Sequence, residues 1–143
     1  MMRLGFNARS LQDHGGIGAY TRQLLRHLVN YMADDRLTIF VPQLALLDFL
    51  PPGVHWEGVE VQGGNRVLWE QYQLPGVIAR HALDVYHSPD FTLPSRLPCP
   101  GIITIHDLSF LLHPEGVAPR TRWLYRTYVP RSAAQAALIF CDS

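Results

Sequence analysis

The sequence predicts an α/β domain, doubly wound around a mainly parallel sheet, and three observations carry that prediction. Short apolar runs alternate with segments of helical periodicity, the pattern of strand, crossover helix and strand. Several runs are apolar throughout, as strands buried on both faces are. Others turn polar at their last residues, which places chemistry-bearing side chains at strand C-termini.

The first run, Leu4 to Ala8, leads through Asn7-Ala8-Arg9-Ser10 into a loop containing His14-Gly15-Gly16-Ile17-Gly18. Beyond it Ile17, Tyr20, Leu24, Leu28 and Met32 step by three or four, the period of a helix facing a core. Leu37 to Val41 is a second strand, closed by Pro42, and Leu44 to Phe49 reads as a short helical piece. Val54 to Val61 partly alternates and reads as a strand nearer the sheet edge. Arg66 to Leu83 reads as a helix that Pro75-Gly76 should kink or split. Asp84 to Ser88 and Pro100 to Asp107 are two further strands, separated by a loop rich in proline. A helix from about Arg120 to Ala137, with Pro130 as a kink point, precedes a last strand, Ala137 to Cys141.

At 143 residues the chain suits one domain with one sizeable core. Twelve acidic residues balance twelve basic ones, so no global field points to nucleic acid. All twelve basic residues are arginine. Cys99 and Cys141 lack the spacing of a zinc or redox pair, and no apolar run is long enough to span a bilayer. A reduced, cytoplasmic protein is the expectation.

In a doubly wound sheet, ligands bind beyond the strand C-termini where strand order reverses. Arg9, the glycine loop, His87, Ser88, His106 and Asp107 are therefore the candidate site residues. Gly15-Gly16 opens a helix whose unpaired N–H groups and dipole suit a phosphate, and glycine allows close approach and positive φ. A glycine-rich turn without a ligand is the alternative. The loop departs from the GxGxxG fingerprint, since Thr21 stands three residues after Gly18, and no lysine completes a P-loop.

His106 can bond a substrate hydroxyl or phosphate oxygen, or simply a backbone carbonyl, with Asp107 capping the next turn. His87, His106, Asp107 and His113 have the residue types of a metal site but no ligand spacing, so no metal is expected. The lack of a G-x-S-x-G elbow sets a hydrolase aside. Arg120, Arg122, Arg126 and Arg131 beside Trp123, Tyr125 and Tyr128 read as a solvated helix face or as a surface for an anionic lipid or acceptor.

Taken in order, these motifs resemble the N-terminal domain of the family 4, or group 1, retaining glycosyltransferases of GT-B fold. Asn7-Ala8-Arg9-Ser10 is similar to the family's D-A-R-x segment, and His14 to Thr21 to its G-G-I-G-x-Y-T loop. Leu68-Trp69-Glu70-Gln71, Asp84 to Pro89, Thr104 to Phe110, His113-Pro114-Glu115 and Pro119 to Arg122 continue the match. Asn7 stands where the family carries Asp.

The resemblance implies a Rossmann-like domain and transfer of a hexose, with mannose as the family-level expectation, from a nucleotide-sugar to an acceptor hydroxyl. No cofactor is implied beyond that donor. Gly15 and Gly16 would meet the donor diphosphate, and His106 would be catalytic beside the donor sugar. Arg9, Tyr20, His87, Ser88 and Asp107 would line the acceptor side, for a glycan, lipid-linked or small-molecule acceptor.

The family's C-terminal donor-binding domain, with its E-x7-E glutamates, has no counterpart in residues 1–143. The chain alone is therefore expected to be an inactive acceptor-side half, partnered by that domain. A stand-alone nucleotide or phosphometabolite binding module is the competing reading. Peripheral contact with the inner face of the membrane and self-association through an apolar face are further partner expectations.

Overall fold

The computed structural model describes residues 1–53 and 55–142. Six strands form one sheet: β1 (Arg3–Asn7), β2 (Arg36–Val41), β3 (Trp56–Glu60), β4 (Val85–Ser88), β5 (Gly101–Ile105) and β6 (Leu138–Cys141). Every pairing is parallel, and the order is β3-β2-β1-β4-β5-β6. This is the doubly wound, Rossmann-like arrangement expected from the sequence, and its strand order reverses between β1 and β4. The strand expected from Val54 starts at Trp56 and does lie at the edge; Val54 itself, like Ser143, is outside the described residues.

Side-chain alternation divides the core into two layers. Leu4, Phe6, Leu37, Ile39 and Val41 meet Leu25 of α1 (Gly16–Tyr31) on one face. Phe40, Tyr86 and Ile103 meet Trp69, Leu74 and Ile78 on the other. Gly5 lies under the second layer, where an added Cβ would fall 2.2 Å from Leu83 Cδ1 and 3.1 Å from the Tyr86 ring. A third cluster, Phe91, Phe110 and Val129, joined by Ile17 and Tyr125, caps the sheet at the strand ends.

The segment around Pro75 differs in form from the kink expected. Leu68–Gln73 winds as a π-helix and passes directly into α2 (Leu74–Ile78), with Pro75 in the first turn of the latter. Proline lacks an amide hydrogen, so the first turn and the wide turn before it are where it costs least. The helical stretch ends at Ile78 instead of Leu83. The α3 (Ser109–Leu112) turn is additional to the sequence reading, and α4 (Pro119–Gln135) continues through Pro130, which is exposed to solvent.

On β6, at the edge of the sheet, Leu138, Ile139 and Phe140 are all substantially exposed. Among the described residues no helix is long and apolar enough to cross a membrane.

Candidate functional site

At the reversal point β1 and β4 end side by side on Asn7 and Ser88, both buried. Asn7 Nδ2 donates to Ser88 Oγ at 3.4 Å, and Ser88 Oγ donates onward to the Asp90 carbonyl at 3.3 Å. Asn7 Oδ1 accepts the Arg9 N–H at 3.0 Å. An amide supplies the donor that Ser88 needs and the acceptor that Arg9 needs, whereas a carboxylate offers acceptors only. That gives Asn7 a positive structural role.

Arg9 is half-buried just beyond β1, and burial together with the nearby Arg66 guanidinium holds its own guanidinium below the usual value. Arg66, which the sequence reading did not single out, anchors the densest polar network of the molecule. Its Nη1 lies 3.1 Å from Asp90 Oδ2, its Nη2 donates to Thr92 Oγ1 at 2.9 Å, and its guanidinium covers the Tyr125 ring at 5.3 Å. Thr92 Oγ1 donates to Glu70 Oε2 at 2.9 Å, and Gln71 Nε2 donates to Glu70 Oε1 at 2.9 Å.

Burial opposes the Arg66 charge, but Asp90 and Glu70 outweigh it and hold the group above its usual value. Burial raises Glu70 from the ordinary carboxylate range, against the pull of Arg66 and Thr92. Asp90 Oδ1 is buried with no hydrogen-bond partner among the described residues, an acceptor at the reversal point.

The N-terminus of α1 begins at Gly15 and has no side-chain cap. Its first N–H groups therefore remain open to an anion. The expected positive φ is not found, since no glycine has one. The glycine that the fold requires is Gly18, where a Cβ would fall 2.2 Å from the Asp13 carbonyl oxygen and 2.7 Å from that of Ser10. At Gly15 and Gly16 a Cβ would meet nothing within 4 Å. Gly18→Ala should therefore cost about 1–3 kcal/mol by overpacking. Gly16→Ala should fold as well as or better than the parent, by up to about 1 kcal/mol of helix propensity. Chemical denaturation of the two variants checks the contrast.

His106, just past β5, is mostly enclosed. Its Nε2 donates to the Pro89 carbonyl at 2.8 Å, and its Nδ1 lies 2.7 Å from Asp142 Oδ2. Tyr20, on the first turns of α1, meets the His106 ring edge-on at 4.8 Å. The contacts continue from His106 to Phe91 at 5.5 Å, from Phe91 to Tyr125 at 4.7 Å, and so to Arg66. Phe91 has φ 32°, an uncommon backbone for a residue with a side chain, held by its N–H bond to the Thr104 carbonyl at 3.0 Å. Strained residues of this kind concentrate at functional sites.

The remaining candidates are placed differently from one another. His87 is buried beneath the sheet surface, its Nε2 3.2 Å from Thr104 Oγ1 and its ring between Phe6 and Phe140. Desolvation lowers its pKa to about 4, so it is a neutral core histidine at pH 7. Asp107 is exposed and accepts the Ser109 N–H at 2.8 Å at the entry to α3, whose N-cap is Leu108.

The structure thus gathers Arg9, Tyr20, Ser88 and His106 with Arg66 and Asp90 along one edge, while His87 packs inside. Arg66 and Asp90 carried no local signal beyond their charge, and Glu70 stood in a matched motif without a role attached to it. Among the described residues no three His, Cys, Asp or Glu side chains converge as a metal site. No protein-family model matches the chain, and comparison with curated proteins returns no match, so function is argued from the site's own chemistry.

Proposed function

We propose that the chain is the acceptor-side domain of a retaining glycosyltransferase, which uses a nucleotide-sugar donor held chiefly by a second domain. One observation carries the reading: an uncapped helix N-terminus at Gly15-Gly16 shares the strand-end edge with two arginines, Arg9 and Arg66, and with His106 beside Tyr20. Open N–H groups and guanidinium groups suit a diphosphate. The buried, unpaired Asp90 Oδ1 offers an acceptor for a sugar hydroxyl nearby. His106 serves that reading as a held ring at the donor sugar, oriented from both sides by Pro89 and Asp142.

The same edge also supports a simpler function, a module that binds a phosphorylated metabolite unaided. Titration calorimetry with nucleotide-sugars and sugar phosphates separates the two. The glycosyltransferase reading expects Kd values above about 1 mM for the chain alone. It also expects transfer once the chain is joined to a donor-binding domain. Micromolar binding by the chain alone, unchanged in Gly16→Ala, would sink it.

A further inference from the structure

α2 and α4 lie over the same sheet face, and two pockets open between them. At one end a pocket of about 500 Å³ is walled by Arg66, Leu68, Arg120, Trp123 and Tyr125. At the other a cleft of about 840 Å³ is walled by Tyr72, Pro75, Arg96, Tyr128 and Arg131. Between them Arg66, Val67, Glu70, Gln71, Leu124 and Tyr128 close together and leave no room for a water molecule, so the pocket and the cleft are separate.

Two independent properties define what fits. Among the described residues two arginines and no carboxylate line the first pocket, and Arg66 is already paired with Asp90 at 3.1 Å, so Arg120 carries its open charge. α4 contains four arginines and no acid, and Arg120 forms no ion pair among the described residues. Large apolar groups also stand open at it: Leu68 is 46 % exposed and Trp123 59 %. A wall that is cationic and apolar matches an anionic amphiphile.

We propose that the first pocket binds a phosphate-bearing lipid. Its phosphate sits at Arg120, and its hydrocarbon chain packs on Leu68, Trp123 and Leu124. The orientation rests on the glycosyltransferase reading, since Arg66 and Tyr125 belong both to this pocket and to the strand-end site where an acceptor must react. The binding itself does not depend on that reading.

The test titrates the chain with farnesyl phosphate, farnesol and inorganic phosphate, following Trp123 fluorescence, with Trp123→Phe as the control for Trp56 and Trp69. Farnesyl phosphate should bind at least ten-fold tighter than either fragment. Arg120→Gln should remove that advantage, with an unchanged melting temperature, while Arg96→Gln/Arg131→Gln should change affinity less than three-fold. Equal binding of farnesol, no binding, or a greater loss in the Arg96 and Arg131 variant would overturn the proposal. So would adsorption to phosphatidylglycerol vesicles without binding of monomeric farnesyl phosphate, which would make the face a membrane contact. None of these readouts uses a sugar donor, so their failure leaves the transfer assay to judge the enzyme reading separately.

Discussion

Arg66→Met should lower the free energy of unfolding by about 3–5 kcal/mol at pH 7, because it strands two carboxylates that the fold has taken out of water. Asp90 would lose its one ion-pair partner among the described residues, at 3.1 Å, and Thr92, held between Arg66 and Glu70, would lose its donor. The loss should shrink on acidification. Glu70 already titrates above the ordinary carboxylate range in the folded protein, so its contribution is fully present when it is protonated and declines as pH rises. Removing the cation raises Glu70 further, so it can take up a proton and relieve the penalty as pH falls. Urea denaturation of parent and variant at pH 7 and pH 5 measures both parts. A destabilisation below about 1 kcal/mol, or one that is flat with pH, would mean that water already screens the network.

A second large effect belongs to His87. Its folded pKa of about 4 lies below the 6.5 of a free imidazole, so the unfolded chain binds a proton between those values and the folded one does not. Stability should therefore be full above pH 6.5 and fall by about 3 kcal/mol as the pH drops through 6.5 toward 4. His87→Gln should remove this slope while keeping a polar partner for Thr104 Oγ1, which lies 3.2 Å from the imidazole. Glu70 acts with the opposite sign over part of the same range, so the quantity to read is the difference between parent and His87→Gln. A difference that does not vary between pH 7 and 4.5 would show that the imidazole is solvated when charged.

Much of the fold was legible because it depends on local pattern. The runs at Leu37 and Ile102 are apolar over the length of a strand, and α1 repeats its apolar positions at the helical period. Polar residues at strand ends marked one edge of the sheet, whereas the reversal between β1 and β4 is set by pairings that no local segment shows. The face on which a strand residue points was not legible, and there His87 was read toward the site although it shares a face with Phe6. Nor was the Arg66 network, whose partners Asp90 and Thr92 lie 24 and 26 residues away in sequence and meet only through the sheet. The glycine loop was half legible: its position before α1 was evident, but spacing alone could not separate Gly18, required by backbone contact, from Gly15 and Gly16, which the fold leaves open.

The ring contacts that run from Tyr20 through His106, Phe91 and Tyr125 to Arg66 have a mechanical consequence. α1 and α4 lie on opposite faces of the sheet, and six hydrogen-bonded strands form a stiff partition between them. Over the strand ends the rings cross that partition, with the positive φ of Phe91 as the hinge pin of the crossing. A displacement of Tyr20 on one side would thus be felt at the guanidinium on the other, which the hydrogen-bonded sheet between them could not convey.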